Sequence, residues 1–170
     1  MIKTALLSLL AVLAIAALLF FAVIGRERTW EMAAGTPDRG PYDFARARRS
    51  PTGNDALACS EGLCAGPDVT IATFEDSPEA VIERFAQRLL ANDTLARRVD
   101  DGKDPSRARF VTHSPVMRFP DTIDLAARKL PDGRTGIMAY ARAQLGKKDL
   151  GKNRERLEAL FAGSGVTSPG

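Results

Sequence analysis

Residues 118–143 of this 170-residue chain read RFPDTIDLAARKLPDGRTGIMAYARA, and this stretch decides the fold. Pro131-Asp132-Gly133 has the composition of a tight turn, because proline restricts φ and glycine accepts a positive φ. The pattern predicts a hairpin with one extended strand at Met117–Leu130 and its partner at Arg134–Ala143. Pro120 is expected to mark a bulge or an edge near the start of the first strand.

The hairpin also predicts which side chains face each other. With three residues in the turn, Leu130 pairs with Arg134, and Asp124 then falls opposite Tyr140. Arg142 becomes the diagonal neighbour of Asp124, and side chains at that separation still interact in a sheet. The register therefore brings a carboxylate and a guanidinium together on one face.

Shorter elements flank the hairpin. Ser77-Pro78-Glu79 predicts a helix start, because a hydroxyl caps the helix, proline fits its first turn and an acid suits its positive end. Asp149 predicts the start of a last helix, which stops at Gly163. Three further strands are predicted, at Asp68–Phe74, Leu95–Val99 and Arg107–His113. The order strand, helix, four strands, helix predicts an α+β domain of two layers, with both helices on one face of an antiparallel sheet.

The amino-terminal stretch predicts a membrane-spanning helix. Thr4–Ile24 contains no charge, proline or glycine, and a helix of this length extends about 30 Å, the thickness of a bilayer core. We expect an uncleaved transmembrane anchor at residues 1–25; a cleaved signal peptide is the alternative, although no small-residue cleavage site precedes Arg26. Glycines and prolines predict a flexible linker at 26–54, followed by a folded domain at 55–163 and a disordered tail at 164–170.

Cysteine content and charge bear on location and class. Cys59 and Cys64 are predicted to form a structural disulfide; free thiols, a redox pair and half a metal site are the alternatives. A disulfide favours a periplasmic domain on a bacterial inner membrane, whereas the charges flanking the span do not decide its orientation. The 24 basic and 21 acidic residues and the scarce aromatics predict no nucleic-acid partner. Common nucleotide, dinucleotide and metalloprotease motifs are absent from the sequence, and no cofactor or metal is predicted.

Three stretches of the chain resemble a known family. They are Asn54–Cys64, NDALACSEGLC; Arg118–Asp124, RFPDTID; and Gly146–Arg156, GKKDLGKNRER. Together they resemble the bacterial and plastid domain-of-unknown-function family numbered fourteen-ninety-nine, over roughly Asn54–Leu160. This resemblance implies no particular activity. Tyr140–Leu145 departs from the family pattern, with alanines where hydroxyl residues are usual.

Two groups of residues are candidate ligand-binding sites. Arg118, Asp124 and Arg142 are predicted to share a sheet face, where two arginines beside a carboxylate suit an anionic ligand. An ion-pair network that sets the strand register is the alternative. The second group lies at the start of the last helix and suits either an anion or a purely architectural role. It consists of Asp149, Asn153 and Arg154.

These features favour a membrane-anchored binding or interaction module over an enzyme. We expect the ligand to be an anionic molecule or lipid, or the partner to be a membrane protein. A hydrolase or transferase using Asp121, Asp124 and Asp149 with arginine support is the alternative, although strand alternation puts the first two on opposite faces. A purely structural subunit of a membrane complex is the third hypothesis. No catalytic residue is predicted, and the lone histidine, His113, has no assigned role.

Overall fold

The computed structural model describes residues 2–166. Its helices are α1 (Ile2–Ile24), α2 (Arg26–Ala34), α3 (Pro78–Asn92) and α4 (Lys152–Leu160). Its strands are β1 (Asp55–Ser60), β2 (Val69–Ile71), β3 (Arg97–Arg98), β4 (Arg107–His113), β5 (Pro120–Lys129) and β6 (Thr135–Ala143). Met1 of the predicted anchor and residues 167–170 of the predicted tail lie outside the described residues.

The strands form one mixed sheet in the order β2-β1-β6-β5-β4-β3. β1 and β2 run parallel, and the other neighbouring pairs are antiparallel. Both α3 and α4 pack on the same face of this sheet. The structure thus confirms the α+β class with the helices on one face. The domain limits 55–163 stay a prediction.

The hairpin of β5 and β6 has the predicted register. Leu130 N donates to Arg134 O at 2.8 Å, and the turn glycine adopts a φ of 84°. Asp124 lies opposite Tyr140, and Arg142 lies two positions further along β6. The turn residues therefore placed these side chains correctly from local information.

Three predicted strands are shorter by three or more residues in the structure. β2 covers three residues and β3 only two. Beyond them the pairing continues only as isolated contacts, since Phe74 forms a single bridge to Thr135 and Val99 N donates to Arg109 O at 2.8 Å.

β5 begins at Pro120 rather than at Met117. Proline at the first position of a strand removes no interior ladder hydrogen bond, so Pro120 forms no bulge. It does not mark an edge either, because β5 lies between β6 and β4.

The core lies between the sheet and the two helices. Ser77 Oγ accepts a hydrogen bond from Ala80 N at 3.2 Å and caps α3 as predicted. α3 and the end of α4 meet through the rings of Phe85 and Phe161, whose centroids are 4.6 Å apart. Alternate strand positions supply the other large buried side chains of this layer. They include Phe110, Ile123, Leu125 and Ile137.

β1 is the strand that the sequence pattern did not predict. It lies between β2 and β6, and residues 56–60 are buried. A strand covered on both faces has no alternation of polar and apolar residues, and its short apolar run is not diagnostic. The predicted order is corrected accordingly: two strands precede α3, and the sheet is mixed because they are parallel.

The predicted linker, residues 26–54, carries regular structure and packs on the domain. α2 occupies its first third, and Gly25 between α1 and α2 has a φ of 86°, which favours glycine. Residues 36–50 cross the sheet face opposite α3 and α4, where Tyr42 stacks on Tyr140. The glycines and prolines of this segment are typical of a linker. Its packing on the sheet depends on contacts with distant residues such as Tyr140, about which local composition carries no information.

α1 is long and apolar enough to cross a membrane, judged by length and composition. None of its residues is buried against the rest of the protein. A signal sequence near the amino terminus has the same properties. The amino-terminal helix is therefore consistent with either a signal or an anchor.

Cys59 and Cys64 form a disulfide, as predicted. Cys59 is buried on β1, and Cys64 lies in the loop that leads to β2. The bond closes this loop over the sheet face opposite the helices, where both residues join an apolar cluster. Because cytosolic thiols are kept reduced, the disulfide suggests an extracytoplasmic domain.

Reduction of the disulfide is expected to lower the free energy of unfolding by about 2 kcal/mol, because so short a closed loop restricts the unfolded chain by that amount. Denaturant unfolding with and without a thiol reductant measures the change. A Cys59→Ala/Cys64→Ala variant is the control, since reductant leaves it unchanged. Alkylation of both thiols in the native, unreduced protein would contradict the pairing.

Candidate functional site

The candidate site lies on the sheet face opposite α3 and α4. Residues 36–50 cover part of this face, and we call them the covering segment. The rings of Tyr42 and Tyr140 stack there with centroids 3.8 Å apart and planes 13° from parallel. Phe44 meets Tyr42 edge-on at 4.9 Å. Tyr42 and Phe44 pack against a second buried apolar cluster, which consists of Leu57, Cys59, Ala126, Met138 and Tyr140.

Two groups of ion pairs attach the covering segment to the domain, one near each end of the segment. Arg109 on β4 donates to both carboxylate oxygens of Asp38, at 2.7 and 3.0 Å, and this pairing lowers the pKa of Asp38. Near the other end, Arg49 donates to Asp55 at 2.8 Å and to Asp68 at 2.7 Å. Paired guanidinium and carboxylate groups set orientation as well as contact. The covering segment is thus held at both ends.

Asp124 lies under the covering segment in the middle of β5. It is only 6% exposed, and Tyr42 N donates to its Oδ1 at 2.9 Å. Burial raises the pKa of Asp124 to about 6, against the opposing effects of the Tyr42 amide and of Arg109 and Arg142. An ordinary aspartate titrates at about 4, so Asp124 exchanges its proton much closer to neutral pH.

Tyr140 and Asp55 form a fixed pair beside Asp124. Tyr140 donates its hydroxyl proton to Asp55 Oδ2 at 2.8 Å. Burial and this hydrogen bond raise the pKa of Tyr140. Burial acts to raise the pKa of Asp55, but hydrogen bonds from Arg49, Ser50 and Tyr140 outweigh it and the pKa is lowered. The tyrosine stays neutral and the aspartate stays charged, which suits a structural role.

An open cleft of about 270 Å³ lies between the covering segment and strands β5 and β6. Four arginines line it: Arg39, Arg46, Arg48 and Arg142. Arg46 pairs with exposed Asp43 at 3.4 Å, and Arg39 donates to Ala34 O at 3.1 Å. Within residues 2–166, the guanidinium groups of Arg48 and Arg142 have no hydrogen-bond or ion-pair partner. The cleft therefore carries uncompensated positive charge.

Of the first predicted group, Arg118, Asp124 and Arg142, the structure brings only two residues together. Asp124 and Arg142 line the same cleft, as the register predicted. Arg118 does not line it, because β5 begins at Pro120 and Arg118 lies in the preceding loop with a φ of 58°. Burial lowers the pKa of His113, and the charge of Arg118 adds to that effect, which places Arg118 near the end of β4. Strand alternation does not extend into this loop.

The second predicted group organises the start of α4. Asp149 accepts hydrogen bonds from Gly151 N at 3.0 Å and Asn153 N at 2.9 Å and so supports the first turn of a helix that begins at Lys152. The N-cap position itself is Gly151, with a φ of 81°, rather than the predicted Asp149. Fully buried Asn153 donates to Asn54 O at 3.1 Å and accepts from Arg156. The remaining member, Arg154, pairs with Glu158 at 3.0 Å. These contacts describe an architectural role, and ligand binding there stays a prediction.

The three carboxylates of the enzyme hypothesis do not converge. Asp121 is on the helix face and accepts a hydrogen bond from Arg156 at 2.9 Å; burial raises the pKa of Asp121 against this pairing. Asp124 lies on the opposite face, as alternation predicted, and Asp149 accepts hydrogen bonds at the start of α4. This geometry argues against acid–base chemistry shared by all three. In the described part of the chain, no group of three or more His, Cys, Asp or Glu residues is arranged to hold a metal ion.

Sequence reasoning missed the residues that the covering segment contributes. Arg46, Arg48 and Arg49 stand out as a basic cluster, but the surrounding glycines and prolines favoured a linker. Arg49 is committed to Asp55 and Asp68, whereas Arg48 lines the cleft. Two aromatic residues spaced by two positions, at 42 and 44, were the available signal of an extended segment with one buried side.

Fold and site define a class: an α+β domain with an arginine-lined cleft, joined to an amino-terminal apolar helix. The chain belongs to the DUF1499 family, described as a protein of unknown function, whose family model matches residues 43–163. This confirms the resemblance drawn from the sequence motifs. The match begins inside the covering segment, so part of that segment belongs to the family domain. No curated protein matches the chain.

Asp124→Asn is expected to flatten the pH dependence of stability between about pH 4 and 6. The folded protein keeps a proton on Asp124 that the unfolded chain has released, so this residue destabilises the wild type as the pH rises through that window. Across the window the variant gains about 3 kcal/mol relative to wild type. Denaturant unfolding at a series of pH values measures the difference, with exposed Asp132→Asn as control. Parallel curves would show that the pKa is not raised.

Asn153→Ala is expected to lower the free energy of unfolding by about 1–3 kcal/mol, because it removes a buried hydrogen-bonding partner of Asn54 and Arg156. Thermal or denaturant unfolding measures it. Glu155→Ala, exposed on the same helix, is the matched control and should change stability by about 0.5 kcal/mol or less. Equal stability of the two variants would contradict the architectural role of Asn153.

Proposed function

We propose that this protein is a membrane-anchored binding module for an anionic ligand of the bacterial cell envelope. α1 acts as a single-pass anchor in the inner membrane, and the domain lies in the periplasm. The length and apolar composition of α1 support the anchor, and the disulfide supports an oxidising compartment. Residues 26–54 connect the anchor to the domain and contribute to its binding cleft.

The observation that carries this proposal is the unpaired state of Arg48 and Arg142 within residues 2–166. These two guanidinium groups line one cleft and form no ion pair within the described residues, although the charge of Arg142 acts on nearby Asp124. Arg39 adds a third positive charge. The planar fork of arginine forms two parallel hydrogen bonds with a phosphate or carboxylate group. An anion in the cleft would supply the acceptors that the protein itself does not.

Asp124 adds a link between anion binding and protonation. Its carboxyl lines the same cleft and its pKa is raised to about 6 by burial. A charged carboxylate repels an anion, whereas a protonated carboxyl is neutral and donates a hydrogen bond. The stacked rings of Tyr42 and Tyr140 form a rigid wall beside it. A phosphate group matches this donor-rich cleft. Such a group is present both in free phosphate compounds and in phospholipid headgroups.

Inorganic phosphate is expected to bind the full-length protein in maltoside micelles. Arg142→Ala should weaken binding about 10-fold or more, because a hydrogen bond to a charged group contributes about 1.5–3 kcal/mol. Isothermal titration calorimetry measures the affinity. Arg128→Ala is the matched control: it is exposed on the same strand pair and the same sheet face, about 20 Å along β5 from Thr122, the residue paired with Arg142. Equal affinities for the Arg142 variant and wild type would overturn the cleft as the binding site.

Short-chain phosphatidylglycerol distinguishes the two sources of phosphate. Tighter binding than inorganic phosphate, with the same loss in Arg142→Ala, would identify a lipid headgroup as the ligand. Binding no tighter than inorganic phosphate would identify a free phosphate compound. Binding of neither probe would contradict the proposed function and favour a structural subunit held by a protein partner.

A further inference from the structure

The chain turns sharply at Gly25, between α1 and α2. The rings of Phe21 in α1 and Trp30 in α2 meet edge-on, with centroids 5.6 Å apart. Nine residues of continuous helix would separate these positions by about 13 Å along the axis. α2 therefore bends back at Gly25, and Trp30 lies beside the last turn of α1.

Trp30 in turn holds the loop between β4 and β5, residues 114–119. Its indole Nε1 donates to Met117 O at 2.6 Å, and its ring lies 4.6 Å from that of Phe119. Arg26 at the start of α2 donates to Val116 O. These contacts bring the loop to the end of the apolar helix. The side chains of Val116 and Met117 are nevertheless 69% and 43% exposed.

A second loop, between β6 and α4, lies at the same end of the sheet. Gln144 N donates to Pro120 O at 3.0 Å, which joins the end of β6 to the start of β5. Leu150 in this loop is 86% exposed and has a left-handed backbone with a φ of 55°. Lys147 and Lys148 beside it are exposed as well. The fold thus projects apolar and basic side chains from one end.

We propose that this end of the domain rests on the phospholipid bilayer that α1 crosses, with Val116, Met117 and Leu150 inserted at the interface. We call these three residues the membrane-facing end; the inference rests on the anchor proposed above. Trp30 is level with the last turn of the apolar helix, so the loop that it holds lies at headgroup depth. Indole rings favour this layer, and exposed lysines beside apolar residues suit anionic headgroups.

Depth measurements on the full-length protein test this proposal. Four single variants, Val116→Cys, Leu150→Cys, Lys103→Cys and Leu13→Cys, are each labelled with a nitroxide while the native disulfide stays oxidised. Each protein is reconstituted in vesicles of phosphatidylcholine and phosphatidylglycerol, and its collisions with oxygen and with a water-soluble nickel chelate are compared. Leu13 in α1 is the reference for lipid. Lys103, exposed in the turn before β4 at the opposite end of the sheet, is the reference for water.

The labels at Val116 and Leu150 are expected to show an oxygen-to-nickel ratio several-fold above that at Lys103 and below that at Leu13. Ratios equal to that at Lys103, with Leu13 in lipid, would overturn the membrane-facing end and leave the anchor intact. A water-accessible Leu13 would overturn both. Val116 and Leu150 are both exposed, and circular dichroism checks that each labelled variant is folded. If one variant misfolds, the label at the other position tests the proposal. Phosphate affinity is measured separately, so failure here is distinct from failure of the cleft.

Discussion

The pairing of β5 with β6 is the constraint on which the rest of the structure depends. Side chains alternate between two faces, so a slip of one residue would exchange every buried and exposed position of the hairpin. In the observed register, Ile123 and Leu125 face the helices, whereas Asp124 faces the covering segment opposite Tyr140. β1 and β4 then extend the sheet on either side of this pair. The core and the cleft are therefore consequences of one register.

The two faces of the sheet are closed by different physical means. Apolar stripes of α3 and α4 bury one face, as is usual for an α+β domain. The other face is closed by the stacked ring of Tyr42 and by ion pairs, such as that between Asp38 and Arg109, that hold the covering segment. This second closure desolvates Asp124 and leaves Arg142 unpaired beside it within residues 2–166. The candidate site thus exists because the segment packs on the sheet.

The cleft and the membrane-facing end are close together in the fold. Arg142 lies near the end of β6, and the loop that follows contains exposed Lys147 and Leu150. A domain resting on the bilayer through that end would hold the arginine-lined cleft near the headgroup layer. The anchor, the turn at Gly25 and the cleft would then act together, although each rests on separate contacts.

The sequence by itself determined the hairpin, the start of α3, the apolar helix and the disulfide, because each depends on residues only a few positions apart. It located Asp124 and Arg142 relative to each other, since one turn sets that register. It did not predict β1, whose two buried faces erase any alternation. Only the tertiary structure decided the site, because the Tyr42 amide meets Asp124 across 82 residues of chain. Burial and unpaired charge arise only when such distant segments come together, and local composition carries neither.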